Sequence, residues 1–317
     1  MKVLATPRSF GKNNPELFDI LRDAGLDVVR NDTGGILSAD RMCEKLADCD
    51  GLIVGVDPVD ATVLAAAPRL RAIAKYGVGL DNIDLAACEA RGIKVSRTVG
   101  ANSEAVADYA LALMLGVARK VALIDRRCRE RDWSKITGID LYGKTVGIIG
   151  LGNIGSRVAS RMAGFEARLL GTDPCWPEAL AAKYGIERRE LNELLAESDI
   201  VCVHCPLDET TAGFIGKAEL ALMKPSALLV NMARGGIVDE DALYEALRGK
   251  VISGAIIDAY SQEPLTASPL FSLDNVILSP HAGAFTTDAL NAMSRMSVDQ
   301  LFQYVDGATP DNLVTAE

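Results

Sequence analysis

The chain has 317 residues, 49% hydrophobic and 24% charged, an ordinary balance for a globular protein long enough for two domains. A formal net charge of −10 argues against nucleic acid and anionic membrane as partners, because both select basic surface. Seven cysteines without framework spacing fit reduced thiols in a cytoplasm, and charged residues interrupt each apolar stretch before it could span a membrane.

Strand-like runs are expected at Lys2–Thr6, Asp27–Arg30, Gly51–Val56, Leu70–Tyr76 and Ile93–Ser96, with helices between them. The opening run is too short, and too soon broken at Pro7, for a signal peptide. Asn14-Pro15-Glu16 predicts a helix with Asn14 as cap and Leu17, Ile20 and Leu21 as its apolar stripe. A long helix is expected from Asn102 or Ser103 toward Arg131, with Val106, Ala110, Leu113, Met114 and Val117 facing inward. Six further strands follow at 144–149, 168–173, 199–205, 227–232, 253–259 and 275–279, and a last helix from Thr287 to Val305. Strands alternating with helices predict α/β architecture with parallel sheets. The expectation is two doubly wound parallel-sheet domains. A Rossmann cofactor domain (100–285) is inserted in a flavodoxin-like substrate domain built from 1–99 and 286–317.

Gly150-Leu151-Gly152-Asn153-Ile154-Gly155 is the most informative stretch, because an apolar run leads into it, a helical run leaves it, and a second apolar run ends in Asp173. That is the context of a dinucleotide site. Gly150 permits the tight turn, Gly152 lets main chain approach the pyrophosphate, and Gly155 lets helix and strand pack closely. Asp173 is placed to accept hydrogen bonds from the adenosine ribose, which selects NAD over NADP. Cys202 and Cys205 form a CxxC inside a strand-like run. Alternation puts them on opposite faces, so no metal is expected there.

There are two histidines, His204 and His281. Moving a hydride off a carbinol carbon requires the hydroxyl proton to leave as well, and histidine is the natural carrier near neutral pH. His281 follows the run 275–279, Arg234 follows 227–232, Asp258 closes 253–259, and Glu263 lies just beyond it. All sit at the carboxyl ends of strands, the edge where open α/β sheets bind ligands. His281 can carry the proton, Glu263 can stabilise its imidazolium, and Arg234 can clamp a carboxylate and polarise the neighbouring carbonyl. His204 reads as a packed or cofactor-adjacent histidine.

Ordered motifs over nearly the whole chain resemble the D-2-hydroxyacid dehydrogenases, most of all the short 3-phosphoglycerate dehydrogenase-like branch. They are Tyr76-Gly-Val-Gly-Leu-Asp-Asn-Ile-Asp84, the glycine loop 150–155, His204-Cys-Pro-Leu207, Asn231-Met-Ala-Arg-Gly-Gly-Ile-Val-Asp239, Asp258-Ala-Tyr-Ser-Gln-Glu-Pro264 and Ser279-Pro-His-Ala-Gly283. The resemblance implies a triad of Arg234, Glu263 and His281, with NAD as cofactor. It places Asp258 near the nicotinamide amide, with Cys205, Pro206, Leu207, Met232, Ala233 and Gly283 along the cofactor. It puts a small carboxylate substrate at Tyr76, Gly77, Val78 and Gly79, held by the N–H groups of 77–79. It further implies a homodimer joined through the long helix and the arm after it.

Some positions depart from the family pattern. Ala107-Asp108-Tyr109 stands where Glu-His is common, and Gly55 and Lys75 stand where phosphoglycerate dehydrogenases often carry arginine. No long-form regulatory domain is expected after residue 317. Glu263 disfavours a formate dehydrogenase, which carries Gln there. Phosphite dehydrogenase and an NAD(H)-sensing corepressor-like protein remain alternatives. With Gly55 lacking a side chain, Arg8, after the first strand, is the candidate to grip a distal anionic group of the substrate.

Overall fold

The computed structural model describes residues 1–314, and its chain divides into two compact units. The predicted segment 286–317 includes residues 315–317, which lie outside the described residues.

One unit comprises Met1–Asn102 and the chain from Phe285 on. Its sheet contains β1 (Lys2–Ala5), β2 (Asp27–Arg30), β3 (Gly51–Val54), β4 (Ala72–Lys75) and β5 (Lys94–Arg97), all parallel, in the order β2-β1-β3-β4-β5. This is the flavodoxin-like order. β3 and β4 are buried at every position, as strands covered on both faces must be. The helices are α1 (Glu16–Asp23), α2 (Ala39–Leu46), α3 (Ala61–Ala65) and α4 (Leu85–Ala90). Ser38, Asp60 and Asp84 cap the last three through side-chain oxygens. α1 differs from expectation: Pro15 holds the cap position, the Asn14 carbonyl rather than its side chain accepts the Leu17 N–H, and Ile20 is exposed.

The other unit comprises Ser103–Ala284. It opens with α5 (Ser103–Ala118) and α6 (Val121–Arg129). The single helix expected toward Arg131 is broken because the Ala118 carbonyl accepts the Ile139 N–H at 2.9 Å, while Lys120 turns into the left-handed region at φ 54°. Leu113 and Val117, expected to face inward, are half-buried, whereas Val106, Ala110, Met114 and Ala118 are buried.

Its strands are β6 (Thr145–Ile149), β7 (Arg168–Thr172), β8 (Glu187–Arg188), β9 (Ile200–Val203), β10 (Leu228–Asn231), β11 (Gly254–Ile257) and β12 (Val276–Leu278). The order is β12-β11-β10-β9-β6-β7-β8, all parallel. The six expected strands are present, but β8 corrects the count. It takes the third place of the Rossmann order 3-2-1-4-5-6, which makes β12 a seventh strand. Two charged residues carry no strand pattern; β8 is fastened by pairing to β7 and by the Arg168–Glu187 ion pair at 2.8 Å.

α7 (Asn153–Ala163) and α5 cover one face of this sheet with Met114, Val158 and Met162. The helices α8 (Glu178–Tyr184), α9 (Leu191–Glu197), α10 (Lys217–Leu222) and α11 (Glu240–Arg248) follow in turn, and Leu194, Leu220, Leu243 and Leu247 pack the opposite face. Cys202 belongs to the first cluster and Cys205 packs against the second. After β12, α12 (Thr287–Val305) is capped by Thr286 and buries Leu290, Met293 and Leu301 in the first unit. Its Gln300 joins β5 by accepting from Ser96 Oγ at 3.1 Å and donating to the Arg97 carbonyl at 2.9 Å. Among the described residues no helix is long and apolar enough to cross a membrane.

Candidate active site

β6 runs into the turn Gly150-Leu151-Gly152, and α7 begins at Asn153 and Ile154. Gly150 has φ 90°, and a Cβ there would lie 2.6 Å from Cys205 N. A Cβ on Gly155 would lie 2.0 Å from the Gly150 carbonyl oxygen, so neither position admits a side chain. At Gly152 a Cβ would meet nothing within 4 Å, which leaves open space beside the main chain. Gly152 caps α7 without a side-chain hydrogen bond, so no capping side chain occupies its first turn or masks the positive end of the helix. Asp173 Oδ2 accepts the Leu151 N–H at 2.7 Å and Oδ1 the Cys175 N–H at 2.8 Å, which fastens the carboxylate beside the glycine turn. Each oxygen keeps acceptor capacity for a ribose hydroxyl. Open main chain, an uncapped helix start and a carboxylate just past the end of the next strand fit a dinucleotide.

Along the same sheet edge, Asn231 ends β10 and is buried. Its Oδ1 accepts the Ala233 N–H at 3.1 Å and its Nδ2 donates to the Arg234 carbonyl at 2.8 Å. This shapes the turn that presents Arg234, whose Nη1 donates to the Ala233 carbonyl at 2.8 Å. Met232 and Ala233 are buried beneath it.

Glu263 and His281 meet directly: Nδ1 lies 3.0 Å from Oε1 and 2.9 Å from Oε2. Their side chains are 34% and 41% exposed, open to a ligand yet partly desolvated. Burial pushes the Glu263 carboxyl up. The His281 hydrogen bond and charge, the Tyr260 N–H and the Arg234 charge outweigh it and hold the group below the usual glutamate range. The Asp258 carboxylate is buried and accepts the N–H groups of Ala282 at 2.9 Å and Gly283 at 3.0 Å, which braces the turn after His281.

His204 has a different environment. Its residue is half-buried, but both ring nitrogens are sealed from solvent and unpartnered, and burial pushes its pKa down to about 4. Burial likewise pushes the Cys202 thiol up to about 12 and Cys205 up to about 11. Pro206 and Leu207 are exposed beyond them.

In the first unit, Tyr76 is buried. Its hydroxyl donates to the Leu290 carbonyl at 3.0 Å, and its ring meets Phe10 edge-on. The phenol is thus engaged inside its own unit. The Gly77 N–H donates to Thr98 Oγ1 at 2.8 Å. Lys75 is buried; its Nζ donates to the Gly55 carbonyl and, at 2.6 Å, to Asn82 Oδ1. Arg8 is exposed, with Nη1 3.4 Å from the Gly34 carbonyl.

Residues 111–283 match the model of the D-isomer specific 2-hydroxyacid dehydrogenase NAD binding domain. A glyoxylate reductase of Korarchaeum cryptofilum is 43% identical over 282 residues, covering 86% of this chain and 85% of that protein. A D-3-phosphoglycerate dehydrogenase of Mycobacterium tuberculosis is 44% identical over 253 residues, which cover 79% of this chain. The aligned part is 48% of that relative's own length. The crystal structure of D-lactate dehydrogenase from Aquifex aeolicus, complexed with NAD and lactic acid, matches with a TM-score of 0.85. It is 29% identical, and the match covers 96% of each chain.

Proposed function

Because the chain belongs to the D-isomer specific 2-hydroxyacid dehydrogenases, which are NAD-dependent oxidoreductases, we propose that it interconverts a small 2-oxo acid, with glyoxylate as the leading candidate, and the corresponding 2-hydroxy acid, of the D configuration where C2 is chiral. The observation that carries this reading is the Glu263–His281 pair at 2.9–3.0 Å on the edge that also presents Arg234. A bound nicotinamide supplies the hydride for reduction or accepts it in oxidation. The chain's own groups do the rest. Arg234 grips the carboxylate and polarises the adjacent carbonyl with its planar donor fork. His281, held at Nδ1 by Glu263, presents Nε2 to the substrate oxygen, gives it a proton in reduction and takes one in oxidation. Glu263 stabilises the imidazolium between those steps. Asp258, Met232, Ala233, Cys205, Pro206 and Gly283 line the nicotinamide side.

The preference for a small substituent is supported by residues 55 and 75, which depart from the phosphoglycerate dehydrogenase pattern. Gly55 has no side chain, and Lys75 donates to a main-chain carbonyl and to Asn82, so neither position offers an open cation to a phosphate. A second reading, a dianionic substrate of the phosphohydroxypyruvate kind, rests on Arg8, whose exposed guanidinium follows β1. NADH-dependent reduction of glyoxylate, hydroxypyruvate, phosphohydroxypyruvate and 2-oxoglutarate, with phosphite oxidation alongside, separates these readings. Preference for glyoxylate supports the first. A preference for the phosphorylated acid that Arg8→Ala removes supports the second, and phosphite oxidation replaces both. Absence of turnover leaves a nucleotide-sensing, corepressor-like role.

Asp173 should set the cofactor preference, because its carboxylate repels a 2′-phosphate. Asp173→Ala is expected to raise kcat/KM with NADPH relative to NADH about tenfold. A wild type that already uses both equally defeats the assignment. Val121, Ile124 and Trp133, exposed on α6 and the arm after it, fit the homodimer contact, which sedimentation would test.

A further inference from the structure

Tyr260 and Tyr109 have no part in the reaction as derived above, yet their hydroxyls meet at one residue. Ser279 follows β12 and lies two positions before His281. Its N–H is shared between the Ile257 carbonyl and the Tyr260 hydroxyl, each at 3.0 Å. The Tyr260 hydroxyl in turn donates to the Ile257 carbonyl at 2.9 Å, closing a three-membered ring of hydrogen bonds across the ends of β11 and β12. At its other end, the Tyr260 N–H donates to Glu263 Oε1 at 3.0 Å. One residue therefore holds the carboxylate by its main chain and the histidine-bearing strand by its side chain. Tyr109, on α5, meets the Ser279 hydroxyl at 2.8 Å, so Ser279 is fixed through its side chain as well. Two residues on, His281 adopts a left-handed main chain at φ 54°, a conformation uncommon for any residue but glycine.

We propose that Tyr260, seconded by Tyr109, is a positioning residue that sets His281 against Glu263. The inference rests on His281 as proton carrier. The Tyr260 phenol is suited to the role because burial pushes it up to about 12, so it stays protonated and keeps donating to Ile257. The charged groups around the bracket are Asp258 and Glu263 on its own loop, Glu240 on α11, which accepts from Ser261 N and Oγ, and Arg234 after β10. None of them is altered by removing a phenol oxygen.

The test uses Tyr260→Phe, Tyr109→Phe and Ser279→Ala in the whole protein. It reads glyoxylate reduction by NADH across pH, NADH affinity and thermal unfolding. A loosened pair orients the imidazole less well, so in Tyr260→Phe the pH profile of kcat/KM should be displaced from that of wild type. At neutral pH kcat should fall about tenfold, while NADH affinity stays within about twofold. Tyr109→Phe and Ser279→Ala should each give a smaller shift in the same direction. Combined, they should do no more than either alone, since they remove the same bond. A Tyr260→Phe protein that melts earlier but keeps its pH profile and kcat overturns the proposal. Should Tyr260→Phe not fold, an unchanged profile in both Tyr109→Phe and Ser279→Ala overturns it equally. His281→Ala, run beside them, separates the two levels. If it retains turnover, the functional reading fails; if it is dead while Tyr260→Phe matches wild type, only the present inference fails.

Discussion

The turns that close β9 and β12 each carry a histidine on the carboxyl edge of the same parallel sheet. After β12, His281 is 41% exposed, left-handed in its main chain and in contact with both oxygens of Glu263. After β9, His204 has two ring nitrogens sealed from solvent with no partner, and burial pushes it down to about 4. Residue type, strand end and sheet are the same, and the chemistry differs because the neighbours differ. A carboxylate meets one imidazole at Nδ1. Apolar surroundings at the other hold it neutral, where it can neither lend nor borrow a proton near neutral pH.

The comparison breaks first if the wrong histidine is essential. His281→Ala is expected to lower kcat by about a thousandfold or more while NADH affinity changes little, since general acid–base transfer contributes on that scale. His204→Leu, which replaces the ring with an apolar group of similar size, should stay within about tenfold of wild type. Steady-state kinetics with NADH binding by fluorescence reads both, and the reverse pattern sinks the assignment.

Acid stability sharpens it next. His204 is depressed from its ordinary 6.5 to about 4, so the unfolded chain takes up the proton before the folded one does. The contribution is whole above about 6.5 and is lost as pH falls from there to about 4, by at most about 3 kcal/mol. Denaturant unfolding at several pH values should show this loss in wild type and a flatter profile in His204→Leu. Equal slopes in the two proteins would mean that His204 is not sealed.

The smallest effect belongs to the partner carboxylate. Glu263→Gln keeps a hydrogen-bond acceptor beside Nδ1 but removes the charge, so kcat for oxo-acid reduction should fall about tenfold, and an unchanged kcat would remove Glu263 from the pair. The Glu263 carboxyl itself lies below the usual range. Its share of stability is therefore present above the ordinary glutamate range and lost as pH falls through the lowered value.

Much of the edge chemistry was legible in the chain. Arg234, Glu263 and His281 each follow a buried apolar run, and parallel strands that share a sheet deliver such residues to one edge. The glycine loop was legible for the same reason: strand, glycines and helix are contiguous, so local spacing encodes their geometry. Other features left no such trace. β8 is two charged residues that form a strand only because β7 lies alongside. The break after Ala118 depends on the N–H of Ile139, twenty-one residues away. The Tyr76 phenol is held by the Leu290 carbonyl on α12 and the Gly77 N–H by Thr98, partners that no motif spacing names.

By itself the sequence determined the α/β class, the dinucleotide loop and the residue types delivered to the sheet edge. Apolar periodicity, glycine positions and strand-end placement are local properties of the chain. Only the tertiary structure decided how fully the His204 ring nitrogens are sealed, which backbone donors are already taken, and that Ser279 is held by tyrosines from two separate segments. Those outcomes depend on hydrogen bonds and desolvation between residues far apart in sequence, and no spacing rule records them.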